Sequence, residues 1–276
     1  MNAERVIRID DAADPRIAGF TNIRERDLRR SEGRFIAEGT VVLSVLGAAH
    51  QRKADISAEA VLVLENRLEG IANILAAFPD DVAVYVADKS VMNAIAGFDI
   101  HRGVLALGRR KQERPVTDLL ESLPKHALVV AAAGIANHDN IGSIFRNAAA
   151  FGADAVLLDE TCCDPLYRKA LRVSVGAVLK VPYARHGTAS EMITALLAGG
   201  FTLWGLSPSG RTDIRNIPPA QRMALLTGTE GEGLPGHILD SLETARIAQA
   251  PGLDSLNAAT ATGIALHAIS SAMGRV

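Results

Sequence analysis

The chain has 276 residues, a length typical of two compact domains or of one large α/β domain. Hydrophobic residues make up 48% of the chain and charged residues 22%, a composition that excludes wholesale disorder. The formal net charge is −2, from 29 basic and 31 acidic side chains, so no global positive field attracts nucleic acid. Local basic patches would have to hold any polyanion that binds.

The cysteines and the apolar runs indicate a cellular compartment. Cys162 and Cys163 are adjacent, and because neighbouring cysteines rarely bridge each other, we expect no disulfide framework and a reducing, cytoplasmic environment. The N-terminus becomes charged at once, and the longest uncharged apolar run, residues 127–136, covers about half a membrane span. The sequence therefore predicts a soluble protein without a signal peptide or a membrane helix.

Short β-branched runs alternate with amphipathic segments in the first part of the chain. Predicted strands cover residues 6–9, 34–37, 61–64, 82–86 and 103–107. A charged stretch that ends at a proline, residues 108–115, is typical of a connection between domains. We therefore predict an α/β domain over residues 1–109, a linker over residues 110–122 and a second domain over residues 123–276.

The second domain repeats this alternation with longer apolar runs. Predicted strands cover residues 127–133, 155–158, 180–183, 201–206, 223–227 and 245–247. Predicted helices cover residues 141–151, 165–174, 189–197, 235–241 and 257–273. Because continuous apolar strands alternate with helices, we expect an α/β fold whose mostly parallel sheet is covered on both faces.

Residues 231–236 match the pattern G-x-G-x-x-G, and Asp254 follows about twenty residues later, where dinucleotide-binding folds carry a ribose-binding acid. Two features argue against a nicotinamide-dependent oxidoreductase. The pattern normally opens a long domain, whereas fewer than fifty residues follow it here, and Glu230 and Glu232 would lie beside the pyrophosphate. The glycines still indicate a tight loop where the backbone approaches a ligand or another chain segment.

Three segments have unusual polar content for their surroundings. The first, residues 137–147, follows an apolar strand and opens a helix in which Asn140 is a candidate N-cap. Arg146 would then lie in the second turn, from which its side chain reaches back towards the strand end. The second segment, residues 225–234, contains the glycine loop, and the third, residues 251–257, leads into a helix of small residues that allows close packing.

In order and spacing, these segments resemble the three motifs of the SpoU (TrmH-type) RNA 2′-O-ribose methyltransferases, a branch of the α/β-knot superfamily. The matching residues are Asn140, Gly142, Arg146 and Asn147 in the first motif, residues 228–234 in the second and residues 247–257 in the third. Residues 164–177 are similar to the segment between the motifs, and residues 35–39 resemble the start of the family's substrate-binding domain.

The third motif departs from the family pattern. Ala248, Gln249 and Pro251 stand where members usually carry Pro, Met and Gly, and Thr229 replaces a frequent Asn in the second motif. The end of the third motif, residues 255–257, is intact and supports a cofactor site. The departures leave an alternative open, which is a catalytically silent, knotted RNA-binding protein that has lost affinity for the cofactor.

The resemblance implies a C-terminal trefoil-knot methyltransferase domain preceded by a smaller α/β substrate-binding domain. It implies transfer of a methyl group from S-adenosylmethionine to a ribose 2′-hydroxyl of tRNA or rRNA by a homodimer, with no membrane, DNA or metal involved. The implied catalytic residues are Arg146, Asn140, Glu230, Ser255 and Asn257, and the implied cofactor-binding residues are Thr227, Gly228, Gly233, Ile247 and Leu256. The seven histidines, which show no metal-ligand spacing such as H-E-x-x-H, agree with this.

Each of these residues also has a structural explanation. Arg146 would pair with a surface acid, Glu230 would be a solvated loop acid, and the remaining polar residues would cap helices. Two local basic clusters could contact RNA or form solvated faces. They are Arg24, Arg26, Arg29, Arg30 and Arg34 near the N-terminus, and Arg168, Lys169 and Arg172 in the second domain.

Overall fold

The computed structural model describes residues 5–20, 33–52, 55–96, 102–111, 113–185, 187–229, 231, 233–252 and 255–276. The chain divides into two compact units. The first comprises Met1–Gln112 with Leu166–Lys180, and the second comprises Glu113–Pro165 with Val181–Val276. Both units alternate strands with helices, which confirms the expected α/β class.

The described residues form strands and helices that we number in chain order. The strands are β1 Val6–Ile9, β2 Arg34–Glu38, β3 Ile56–Leu64, β4 Ala83–Ala87, β5 Val104–Arg110, β6 Ala127–Ala132, β7 Ala155–Leu158, β8 Tyr183–Arg185, β9 Thr202–Leu206, β10 Thr212–Asp213, β11 Arg222–Thr227 and β12 Glu243–Arg246. The helices are α1 Thr40–Gln51, α2 Ala72–Leu75, α3 Lys89–Ala96, α4 Val116–Glu121, α5 His138–Ala150, α6 Arg168–Val173, α7 Ala189–Ala198, α8 Gly236–Asp240 and α9 Ala258–Ala272.

The first unit contains a 5-stranded mixed sheet in the order β1-β4-β3-β5-β2. Strands β1, β4 and β3 are parallel, whereas β5 is antiparallel to both β3 and β2. Strand β3 begins at Ile56, five residues before its predicted start, because its first half pairs with the end of β5. The apolar core of this unit includes Ile36, Leu62 and Leu105 from the sheet.

The segment Leu166–Lys180 belongs to the first unit, although the sequence predicted it as part of the second domain. Helix α6 in this segment packs on β2. Glu38 at the end of β2 is buried, and its Oε2 lies 3.8 Å from Arg168 Nε and 3.5 Å from Arg172 Nη1. A buried carboxylate needs such partners, so these two arginines are ion-paired and do not form a purely solvated face.

The second unit is built on a 7-stranded sheet in the order β10-β12-β9-β11-β6-β7-β8. Every pairing in it is parallel, as expected for strands that are apolar on both faces. Strand β8 begins at Tyr183, three residues later than predicted, and the chain before it includes Pro182, whose nitrogen cannot donate to a ladder. The mostly parallel sheet is confirmed.

Part of the segment predicted as a linker, residues 110–122, forms secondary structure. Arg110 ends β5, and Val116–Glu121 forms helix α4. Leu119 and Leu120 of α4 are buried in the core of the second unit. The spacing of the apolar residues in α4 is typical of an amphipathic helix. The charged residues before it led to the prediction of a linker instead. In the part of the chain that the structure describes, no helix is long and apolar enough to cross a membrane.

Candidate active site

A cavity of about 480 Å³ opens in the second unit, beyond the carboxyl ends of β9 and β11. Its volume lies within the usual range for small-molecule sites, about 300 to 1,000 Å³. All five predicted cofactor-binding residues line it, namely Thr227, Gly228, Gly233, Ile247 and Leu256. Ser255 and Asn257, which were predicted as catalytic residues, line it as well. The fold therefore brings the second and third motifs together around one space.

The glycine loop folds back on itself beside this cavity. Thr229 and Gly233 form an antiparallel bridge, and Thr229 Oγ1 donates a hydrogen bond to the Gly233 carbonyl at 3.2 Å. Gly231 and Gly233 have φ angles of 91° and 71°, which favour glycine. A Cβ at Gly228 would lie 2.5 Å from the Gly233 carbonyl carbon and from the Leu234 nitrogen. Position 228 therefore requires glycine, because the backbone of residues 233 and 234 lies too close for a side chain.

Asn140 does not cap its helix, in contrast to the prediction. Helix α5 begins at His138, and Asn137 is the cap because its side chain accepts a hydrogen bond from Asp139 N at 2.8 Å. Asn140 lies inside the first turn and is buried, and its Oδ1 accepts a hydrogen bond from Asn257 Nδ2 at 2.9 Å. This bond joins the first motif to the third across 117 positions of sequence.

Asn257 also caps the last helix, as its structural explanation expected. Its Oδ1 accepts hydrogen bonds from Ala259 N and Thr260 N, both at 3.1 Å. The oxygen of this side chain thus caps α9, while its nitrogen donates a hydrogen bond to Asn140. The two roles are compatible, because an amide has a separate acceptor and donor.

Helices α5 and α9 pack closely, as the small residues of α9 predict. Asn147 Nδ2 donates a hydrogen bond to the Ala259 carbonyl at 2.9 Å. A Cβ at Gly263 would lie 2.8 Å from the same Asn147 nitrogen. Only glycine at position 263 therefore allows this approach without a shift.

Arg146 is exposed and is not among the described residues that line the cavity. Because α5 begins earlier than predicted, Arg146 lies in the third turn, not the second. It follows Asn140 by six residues and so lies about 120° from it around the helix axis. The structure therefore does not bring Arg146 to the cavity of its own chain. Glu230, with Glu232 and Asp254, lies outside the described residues.

Asp159 organises the chain just before the first motif, and the sequence analysis missed it. This buried acid follows β7, and its carboxylate accepts hydrogen bonds from Gly134 N, Thr161 Oγ1 and Cys162 N at 2.9 to 3.2 Å. It thereby ties the chain after β6 to the end of β7. The sequence signal that could have identified Asp159 is an acidic residue directly after an apolar strand.

Both cysteines have protonated thiols at neutral pH. Cys162 is buried, and its Sγ accepts a hydrogen bond from Ile135 N and donates one to the Ala132 carbonyl, both at 3.3 Å. Burial raises the pKa of the Cys162 thiol well above its usual range and raises the pKa of Cys163 to about 11. Thiols of this kind are poor nucleophiles, which agrees with a structural role. Among the described residues, no group of three or more His, Cys, Asp or Glu side chains could hold a metal ion.

Known proteins are similar to this chain in sequence and in fold. An uncharacterized tRNA/rRNA methyltransferase of Mycobacterium bovis is 35% identical over 268 residues, which cover 93% of this chain and 89% of the relative. The AdoMet-bound rRNA methyltransferase structure from Sinorhizobium meliloti has 25% sequence identity and a TM-score of 0.80, and the match covers 97% of this chain and 98% of that one.

A second solved structure, described as an RNA 2′-O ribose methyltransferase, has 26% identity and a TM-score of 0.77, with 96% of this chain and 99% of that chain covered. The family model described as the SpoU rRNA Methylase family matches residues 127–267. That range contains all three motifs, and its cavity is lined by the second and third of them. The chain belongs to the SpoU rRNA methylase family.

Proposed function

We propose that this protein transfers a methyl group from S-adenosylmethionine to a ribose 2′-hydroxyl of tRNA or rRNA. The observation that carries the proposal is the cavity, which all five residues implied as cofactor contacts line. The names of the relatives support it, since they describe a tRNA/rRNA methyltransferase, an AdoMet-bound enzyme and an RNA 2′-O ribose methyltransferase. The chemistry uses no metal.

The cavity fits the cofactor in size and in the character of its walls. S-adenosylmethionine is a drug-sized ligand, and about 480 Å³ suits such a molecule. The glycine loop keeps side chains away from one wall, so the backbone at Gly228 and Gly233 is close to the space. We expect backbone groups around Thr227, Ile247 and Leu256 to hold the cofactor. When bound, the cofactor supplies an electrophilic sulfonium methyl group.

The chain has to orient the ribose hydroxyl and assist loss of its proton, because a sugar hydroxyl is a weak nucleophile at neutral pH. Arg146 is the proposed main contributor. A guanidinium keeps its proton up to a pKa above about 12, so a role as base is costly. We propose instead that Arg146 binds an RNA phosphate in a bidentate manner and stabilises the developing alkoxide, with water or the phosphate accepting the proton.

The other proposed catalytic residues position the ribose, the cofactor or Arg146 for this reaction. Ser255 and Asn257 line the cavity, where they can position the ribose. Asn140 fixes the amide of Asn257 through their shared hydrogen bond. Glu230 is proposed to orient Arg146 or the cofactor. Each of these roles remains compatible with capping or loop solvation.

We also propose a homodimer, because Arg146 is exposed and does not line the cavity of its own chain. In this arrangement Arg146 of the partner subunit completes the site. The proposed C-terminal domain is the knotted one that the family resemblance implies.

The first unit is proposed to recognise RNA through basic side chains that contact phosphates. Arg34 Nε lies 2.7 Å from Glu59 Oε2, and Arg109 pairs with the same acid, so part of this charge is neutralised within the sheet. The run Arg24, Arg26, Arg29 and Arg30 lies outside the described residues and is the proposed phosphate contact.

Two measurements test the proposed function. Calorimetric titration of the intact protein with S-adenosylmethionine should show binding, and nucleoside mass spectrometry of tRNA and rRNA from cells lacking the protein should show one missing 2′-O-methyl nucleoside. RNA binding without any cofactor binding would favour the catalytically silent alternative. An unchanged set of 2′-O-methyl nucleosides would contradict the ribose specificity.

A further inference from the structure

Gln249 carries a buried polar atom that has no hydrogen-bond donor among the described residues. Its Oε1 is buried, makes no hydrogen bond among the described residues, and belongs to a side chain that lines the 480 Å³ cavity. Buried amide oxygens in proteins are nearly always paired, because an unpaired one loses its hydrogen bonds to water without replacement. A donor on a ligand in the cavity would supply the missing bond.

The chain around Gln249 directs alternate residues to the cavity. Ile247 and Gln249 line it, whereas Ala248 between them lines only the neighbouring cleft. This alternation is expected of an extended segment. Gln249 also stands where members of the family usually carry Met, so an amide replaces an apolar side chain of similar length at the cavity wall.

The described lining residues include no Asp, Glu, Lys, Arg or His. Recognition there depends on apolar walls, such as Leu206, Leu234 and Leu256, and on neutral hydrogen bonds. A glutamine amide is complementary to the edge of adenine, since its oxygen accepts from the 6-amino group while its nitrogen donates to a ring nitrogen. Resting on the proposed function, we infer that Gln249 Oε1 accepts a hydrogen bond from the 6-amino group of the cofactor adenine.

Binding of two ligands tests this inference. The first is S-adenosylhomocysteine, and the second is its 6-deamino analogue, in which hydrogen replaces the amino group. Calorimetry with the full chain gives the ratio of the two dissociation constants. We expect wild type to prefer the adenosyl compound, and Gln249→Met to reduce that preference by about three- to tenfold, the usual effect of one hydrogen bond.

Two further variants serve as controls. Gln221→Met makes the same change at an exposed position outside the cavity and should leave the ratio at the wild-type value. Gln249→Glu keeps an acceptor oxygen at the same length and should retain the preference. Thermal unfolding checks that each variant is folded.

The outcomes separate this inference from the proposed function. Equal affinity of wild type for both ligands, or an unchanged ratio in Gln249→Met, would overturn the role of Gln249 and leave cofactor binding intact. The wild-type measurement can overturn the inference by itself, even when a variant does not fold. A complete lack of S-adenosylhomocysteine binding to wild type would contradict the proposed function itself.

Discussion

Asn257 shows how one side chain can combine a structural and a proposed catalytic role. Its oxygen caps α9, while its nitrogen holds the buried Asn140. Asn140 in turn belongs to the helix that carries Arg146. A substitution that keeps the capping oxygen but removes the amide nitrogen can therefore distinguish the effect of Asn257 on stability from its effect on activity.

We predict that Asn257→Ser and Asn257→Ala differ in stability but not in activity. Serine caps a helix about as well as asparagine, but its hydroxyl is too short to hold Asn140. Alanine loses the cap too, which costs about 0.5 to 2 kcal/mol. Thermal unfolding should therefore place the serine variant between wild type and the alanine variant, because both variants lose the bond to the buried Asn140 and only alanine also loses the cap, while methyl transfer falls in both. Wild-type turnover in the serine variant would reduce Asn257 to a cap.

The second residue-scale prediction concerns Arg146. We expect Arg146→Ala to lose methyl transfer while calorimetry gives an unchanged affinity for S-adenosylmethionine, because Arg146 does not line the cavity of its own chain. Arg146→Lys keeps the charge but lacks the planar fork that binds phosphate in a bidentate manner. We expect it to be nearly inactive with RNA binding intact. Near-wild-type activity of the lysine variant would refute the bidentate role.

At the scale of elements, the packing of α5 against α9 holds the first and third motifs in register. The contact depends on Gly263, which faces Asn147, and on the hydrogen bond from Asn147 to the Ala259 carbonyl. The bond between Asn140 and Asn257 lies at the amino-terminal ends of the same two helices. A change in helix spacing should therefore reach the proposed site.

We predict that Gly263→Val destabilises the protein by about 1 to 3 kcal/mol, the usual cost of forcing extra volume into a packed contact. Chemical denaturation measures this value. Ser271→Val places the same side chain at an exposed position of the same helix and should cost much less. An equal loss of stability in the two variants would show that the β-branched side chain in the helix, and not the contact with Asn147, causes the destabilisation.

For the whole molecule, the segment Leu166–Lys180 rules out a simple test by truncation. This segment lies within the second half of the sequence but belongs to the first unit, where Arg168 and Arg172 pair with the buried Glu38. Deleting the first 112 residues would leave the segment without its packing partners. Point substitutions in the full chain are therefore the better test of RNA recognition.

We predict that replacing Arg24, Arg26, Arg29 and Arg30 together by glutamine weakens RNA binding and leaves affinity for S-adenosylmethionine unchanged. Each lost phosphate contact should reduce the slope of log affinity against log salt by about 0.7 to 0.9. Titrations at several salt concentrations measure that slope. An unchanged slope would place the RNA-binding surface elsewhere.

The sequence by itself determined the family and the order of most strands and helices of the second domain. Apolar periodicity is local, so strands such as Ala155–Leu158 and the start of α7 at Ala189 were predicted at their observed positions. The motifs likewise identified residues that the fold collects at one cavity, including Gly228 and Ile247, because a loop that approaches a ligand needs particular residue types.

The tertiary structure alone decided which distant residues meet. The partner of Asn140 lies 117 positions away, and no local pattern encodes such a pairing. The same holds for Glu38 with Arg168. The fold also placed the cap of α5 at Asn137 and left Arg146 outside the lining of its own chain's cavity. Buried polar groups take the partners that the packed fold offers them, and that choice depends on the whole chain.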